Sequence, residues 1–247
     1  MRTRYRDEMN SQIVHDSIHR RDGWSLSYLL ELDGCAVGFG LVAIGGPWKE
    51  KPTILDFYVL PEARSRAFDL FEAFVAASGA RFFEAQTNDI LLTVMAHTFG
   101  REIESEKIVF HDKITTTHPA NGAILRQMTS SDEVRSCIEQ RQGGGEWLLE
   151  ADGIAVGKGG ILFHYNRPYG DIYMEVTETF RRRGLGAYLV QELKQRCYEL
   201  GAIPCARCSP TNIPSRRTLQ RAGFVPFAHI LRGSIAARPP NENESQP

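Results

Sequence analysis

Two largely apolar, β-prone runs, Ser25–Leu32 and Ala36–Ile44, are joined by the polar Asp33-Gly34. Such runs predict strands, and an Asp-Gly between them predicts a tight hairpin. An apolar run at Thr53–Leu60 predicts a third strand. From Arg64 to Ser78 the period changes, with Phe68, Phe71, Phe74 and Val75 on one side of a helix. Ala80–Gln86 reads as a strand, Asp89–Thr98 as a helix and Arg101–Phe110 as another strand. Upstream, Met9, Ile13, Val14 and Ile18 predict a helix over Arg6–Arg20. The threonines, Pro119 and Asn121-Gly122 of Lys113–Gly122 predict a linker.

Beyond the linker the pattern starts again. Ala123–Met128 reads as a short strand, and Ser130-Ser131-Asp132 caps a helix to about Gln142, where Gly143-Gly144-Gly145 breaks it. The stretch from Trp147 to Gly159 then matches Tyr28 to Gly40 almost residue for residue, with Asp152-Gly153 standing where Asp33-Gly34 stood. A repeat of this size means a duplicated domain, since solenoid units are much shorter. The strand Asp171–Val176 and the helix Ala187–Leu200 fall in register with the strand ending at Val59 and the helix after it. A strand at Ala202–Arg207, a helix at Ser215–Arg221 and a last strand near Phe227–Leu231 complete the second half. The tail Ala236–Pro247 has the composition of a disordered segment.

Composition narrows the function without naming it. The chain of 247 residues is 42% hydrophobic and 24% charged, with a net charge of −1, as in a soluble globular protein. That balance gives no reason to expect nucleic acid or an anionic membrane as partner. The charged N-terminus and the lack of a long apolar run point to a cytoplasmic protein. Five cysteines read as reduced structural thiols; Cys205 and Cys208 lack the second ligand pair that zinc needs.

The chemistry concentrates in Val176–Leu189. A strand runs into Arg181, Arg182, Arg183, then Gly184-Leu185-Gly186, then a helix. Glycines let a backbone turn tightly and approach a ligand, and a helix start offers free N–H groups to an anion. A Walker loop needs Lys-Ser/Thr after the second glycine, where Ala187-Tyr188 stands; a dinucleotide loop needs a third glycine, where Leu189 stands. Arg181-x-x-Gly184-x-Gly186 instead resembles the acetyl-CoA pyrophosphate loop of the GNAT N-acetyltransferase superfamily. Asn212, Ser215 and Ala222-Gly223-Phe224 resemble a second signature of that family. The resemblance covers roughly residues 123–235 and reaches the first half through the repeat.

It implies an α/β (α+β) fold of two tandem GNAT-like domains, each a mixed, mostly antiparallel sheet flanked by helices, over 1–118 and 119–235. By position, the backbone of Met174, Glu175 and Val176 is expected to pair with the pantetheine arm of acetyl-CoA. The amides of Arg182, Arg183, Gly184, Leu185, Gly186 and Ala187 are expected to hold its pyrophosphate, with Arg181 in the family's Gln/Arg position. Asn212, with Ser215 in the same signature, is expected to reach the cofactor near its reactive end. In the first half Ala67 and Asp69 replace the two glycines, which predicts a degenerate copy that has lost the cofactor.

The expected reaction is acetyl transfer to a small-molecule or peptide amine by direct attack in a ternary complex. Strand alternation puts Tyr173 and Glu175 on the cleft face, making Glu175 the candidate base, with Glu178 and Asp171 weaker candidates. The family's usual tyrosine acid corresponds to Leu219, and a carboxylate position used by some members is Arg207. The missing acid favours a rival reading, a non-catalytic acyl-CoA-binding or scaffold protein. Trp48, Tyr165 and Tyr169 are candidates to line the acceptor pocket or to pack domains together. The expected assembly is a pseudo-dimeric monomer or a homodimer.

Overall fold

The computed structural model describes residues 1–120, 122–129 and 143–236. The helix expected over 130–142 and the tail from 237 lie outside them. Two compact units emerge: one from Met1–Glu8, Ile18–Ser105 and Ile230 onward, the other from Met9–Ser17 and Glu106–His229. Both are mixed α/β, with mostly antiparallel sheets flanked by helices, as the sequence pattern predicts. Among the described residues no helix is long and apolar enough to cross a membrane.

The first unit orders its strands β1 (Ser25–Leu32), β2 (Cys35–Ala43), β3 (Thr53–Val59), β4 (Phe82–Gln86) and the second half of β11 (Phe224–Ile235). Asp33 and Gly34, both at positive φ, make the β1–β2 hairpin. Helix α2 (Ala67–Ser78) links β3 to the parallel β4 and puts Phe71 and Phe74 against Phe57. Helix α3 (Ile90–Phe99) starts at Asp89, whose Oδ1 accepts the Leu92 N–H. Three expectations are revised here. The helix over Arg6–Arg20 is instead α1 (Arg2–Met9) and a 3-10 turn at Asp16–Arg20, because Asn10 turns to φ +43 and ends the first. The helix from Arg64 begins as a 3-10 turn, Pro61–Arg66, with Pro61 in its first turn, where a backbone N–H is not needed. The last strand starts earlier and runs longer than expected.

The second unit orders β5 (Gly100–Asp112), β10 (Ile203–Cys208), β9 (Tyr169–Val176), β8 (Ile154–Leu162), β7 (Gly143–Ala151) and β6 (Ala123–Gln127). Gly143–Gly145, expected as a helix breaker, opens β7. Helix α4 (Leu185–Glu199) buries Leu189, Val190, Leu193 and Cys197; helix α5 (Ile213–Arg221) buries Leu219. Lys194 of α4, buried, donates to the carbonyls of Ala222 and Ile114 and tethers the linker segment. Strand β5 closes the second sheet beside β10, and β11 closes the first beside β4.

The two units share local detail. Both hairpins place an Asp at φ near +50 (Asp33, Asp152) before a positive-φ glycine, and both shift register one turn upstream, at Leu30/Glu31 and Leu149/Glu150. Gly38 pairs with Val59 and Gly157 with Val176. Arg64 Nε donates to the Val59 carbonyl at 3.0 Å, and Arg181 Nε donates to the Val176 carbonyl at 3.0 Å.

Candidate functional site

Parallel strands β9 and β10 pair only from Tyr169↔Ile203 to Asp171↔Cys205. Beyond that point β10 keeps its ladder to β5 and β9 keeps its ladder to β8, so the two strands part between Ile172–Val176 and Ala206–Cys208. Backbone N–H and C=O groups are obligatory hydrogen-bonding groups, so an open edge inside a sheet invites an extended ligand. Met174, Glu175 and Val176 line that edge.

The loop after β9 begins with a 3-10 turn, Glu178–Phe180, and then extends at Arg181. Arg182 at φ +62 and Gly184 at φ +82 turn it into α4, whose N-terminus has no side-chain cap. Leu185 and Gly186, first in the helix, have no carbonyl one turn earlier to bond, so their N–H groups face the loop. A Cβ on Gly184 would meet nothing within 4 Å, so space beside it is open. Gly186 is different: a Cβ there would come within 3.2 Å of the Thr218 methyl, so the glycine also lets α4 lie close on α5. Arg181 is committed to the β9 carbonyl; Arg182 and Arg183 are exposed, with Arg183 over the Phe180 ring.

The first unit lacks this geometry. Its 3-10 turn runs straight into α2, with Ala67 in ordinary helical conformation at φ −62. Asp69, in the first turn of α2, is paired with Arg66 at 2.7 Å. Strands β3 and β4 also part, after Ile54↔Phe83. There Tyr5 of α1, 3% exposed, packs edge-on against Phe39 and Tyr58 and donates from its hydroxyl to Asp89 at 3.0 Å. His19 and Arg2 bind Asp56.

The predicted catalytic face holds its orientation. Ile172 and Val176 enter the core and Met174 packs on it, while Glu175 is exposed and makes no side-chain hydrogen bond or ion pair among the described residues. Lys158 stands opposite Glu175 in the β8–β9 register. Tyr173 donates its hydroxyl to Glu146 at 2.7 Å. Asn212 serves the structure of its own helix, since its Oδ1 accepts the Ser215 N–H at 3.1 Å and caps α5. Leu219 is 3% exposed in the hydrophobic core, so the position of the family's tyrosine acid points away from solvent.

Burial holds Cys197, Cys205 and Cys208 as thiols. Burial pushes Cys197 up to about 12, and burial also raises Cys208, against a hydrogen bond with Ser215 and the charge of Arg216. A Cys208 thiolate nucleophile is therefore disfavoured. Trp48 is committed elsewhere, donating to Glu84 and packing on Trp24.

Sequence reading missed one constellation. Asp171, the last β9 residue paired to β10, is buried and meets Arg207 Nε at 3.3 Å and His164 Nε2 at 3.2 Å. Arg207 Nη2 also reaches His164 Nε2 at 3.2 Å, and its guanidinium lies over the Tyr165 ring. Burial and the Asp171 charge raise the Tyr165 hydroxyl well above its ordinary range. That hydroxyl lies near Asp171 without hydrogen-bonding geometry. His164, Tyr165 and Asp171 are near neighbours in sequence, and the parallel β9–β10 pairing brings the distant Arg207 to them.

Residues 114–224 match the family described as the acetyltransferase (GNAT) family. The chain is similar in structure to an acetyltransferase of the GNAT family from Colwellia psychrerythraea, at TM-score 0.72 and 12% identity over 95% of this chain and 96% of that one. It is similar to a tandem GNAT protein from the clavulanic acid biosynthesis pathway, at TM-score 0.60 and 14% identity over 89% and 86%. A GCN5-related N-acetyltransferase from Sphaerobacter thermophilus aligns at TM-score 0.56 and 17% identity over 85% and 81%. At these identities the likeness speaks for the fold alone. No curated protein matches the chain.

Proposed function

We propose that the second unit binds acetyl-CoA and transfers its acetyl group to an amine, and that the first unit is a degenerate copy without cofactor. The observation that carries this reading is the parting of β9 from β10 directly upstream of an uncapped helix start with open space at Gly184. An extended pantetheine arm fits the free edge of Met174–Val176, and a pyrophosphate fits the amides of Arg182–Gly186, the expected Ala187 N–H being donated instead to the Gly184 carbonyl at 3.1 Å. Exposed Arg182 and Arg183 add positive charge beside it. Asn212 and Ser215, engaged in the α5 cap, contribute a fixed helix start rather than a free amide.

Bound acetyl-CoA supplies a thioester that a neutral amine converts to an amide and free CoA thiol. The acceptor reaches the protein as an ammonium and must lose two protons. Glu175, exposed on the cleft face and not spent in an ion pair, takes the first. The second leaves with the sulfur as thiol. With Leu219 in the core no tyrosine assists that step from its position, and Tyr173, bonded to Glu146, is the nearest phenol on the same face of β9. Burial of Leu219 also favours the second reading, a non-catalytic acyl-CoA-binding protein.

Release of CoA thiol over a panel of amines separates the two. Glu175→Gln should lower turnover by roughly 100-fold with acetyl-CoA binding unchanged. Unchanged turnover removes Glu175 from the mechanism, and binding without release from any amine supports the second reading.

A further inference from the structure

The cleft is bordered by opposite charges on its two strands. Cys205 pairs in register with Asp171, so their side chains share a face, and alternation puts Tyr173, Glu175 and Arg207 on it too. Had the ladder continued, Arg207 would stand beside Tyr173; the strands instead open between them. The β9 side presents the exposed carboxylate of Glu175, and the β10 side presents the guanidinium of Arg207.

Arg207 is held in place yet not used up. Its Nε is engaged by Asp171 and its Nη2 by His164, while Nη1 has no partner among the described residues. Tyr165 lies beneath the guanidinium at 5.9 Å. Asp171 Oδ2 stands within 3.3 Å of both Arg207 Nε and His164 Nε2, so the carboxylate meets the guanidinium through Nε alone and does not enclose it. A planar guanidinium fixed on one edge, with a free N–H group at the other, is the arrangement that reads a carboxylate.

We propose that the acceptor is an amine that also carries a carboxylate, its carboxylate received by Arg207 Nη1 on β10 and its ammonium by Glu175 on β9. This rests on the acetyl-transfer reading above. Lys158, opposite Glu175, lies on the far side of β9 from the opening and balances that glutamate without competing for the ammonium. β10 itself carries no acidic residue to receive a diamine's second ammonium, and Asp171 of β9 is already paired with Arg207.

Paired acceptors test this on the full-length wild-type protein: an amino acid, its amide and the amine left by its decarboxylation, each followed by CoA release. The carboxylated member of each set should show kcat/KM at least about ten-fold above its partners, because a charge-assisted hydrogen bond contributes roughly 1.5–3 kcal/mol. Arg207→Lys keeps the charge on Asp171 but loses the fork, and should bring that preference to within a few-fold through KM with kcat nearly kept. The double variant Arg207→Gln with Asp171→Asn leaves no unpaired buried charge and should abolish the preference. Decarboxylated amines turned over as well as amino acids would overturn the inference, as would an unchanged preference in a folded double variant. Failure of the wild-type chain to bind acetyl-CoA by calorimetry would instead strike the acetyl-transfer reading itself.

Discussion

Asp89 is where the first unit departs from the second in a way that stability can report. It caps α3 as Asn212 caps α5, but with a carboxyl that is 6% exposed. Burial pushes it up to about 7, with the charges of Asp56 and Glu8 adding to the rise against hydrogen bonds from the Leu92 N–H and the Tyr5 hydroxyl. An unfolded aspartate titrates near ~4. Across about three pH units the folded chain therefore holds a proton that the unfolded chain releases, at ~1.4 kcal/mol per unit. On the order of 4 kcal/mol of stability is thus present below about pH 4 and lost as pH rises through about 7. Asp89→Asn removes the titration and keeps the cap, since an amide oxygen accepts the Leu92 N–H as Asn212 accepts that of Ser215. The variant should match wild type near pH 4 and exceed it by a few kcal/mol near pH 8. Urea unfolding followed by tryptophan fluorescence measures this, with Trp24 and Trp48 both in the first unit. His111 works in the opposite sense. Burial, then Lys113, lowers it to about 4, so its contribution is present above its ordinary range and lost as pH falls toward 4. It is common to both proteins and cancels in their difference. A variant-minus-wild-type difference that is the same near pH 5 and near pH 8 would refute the reasoning.

Calorimetry of the full chain should find one acetyl-CoA bound per molecule; a second equivalent would mean that the first unit retains a working loop. Gly184→Ala puts a Cβ at φ +82, which costs about 1–2 kcal/mol in the left-handed region, and should weaken acetyl-CoA binding by about ten-fold. An unchanged Kd would take the loop out of the binding site. Leu219→Tyr, which restores the family's residue type, should overpack the core and cost about 1–3 kcal/mol without raising CoA release. Faster release would show that a side chain there can reach the cleft.

Much of this was legible in the residues because it is local. Asp33-Gly34 and Asp152-Gly153 announce hairpins through backbone that only such pairs adopt easily, and their equal surroundings announce the duplication. The arginine loop was recognisable because Gly184 is required where the chain turns left-handed into α4. Gly186 shows the limit of that reading: the same residue type in the same motif answers to Thr218, a neighbour 32 positions away. Asn212 likewise belongs to a motif, yet its visible role is to cap its own helix.

The sequence by itself determined which elements form, that they form twice and that one loop alone keeps the glycine at its turn. Local conformational preference and hydrophobic period suffice for that. Only the tertiary structure decided that β5 closes the second sheet and β11 the first, that Tyr5 meets Phe39, Tyr58 and Asp89, and that Arg207 joins Asp171, His164 and Tyr165. Those outcomes depend on pairing between strands distant in the chain, and no period within a strand records its neighbour. The charge across the cleft, and with it the proposed acceptor, is a property of that pairing.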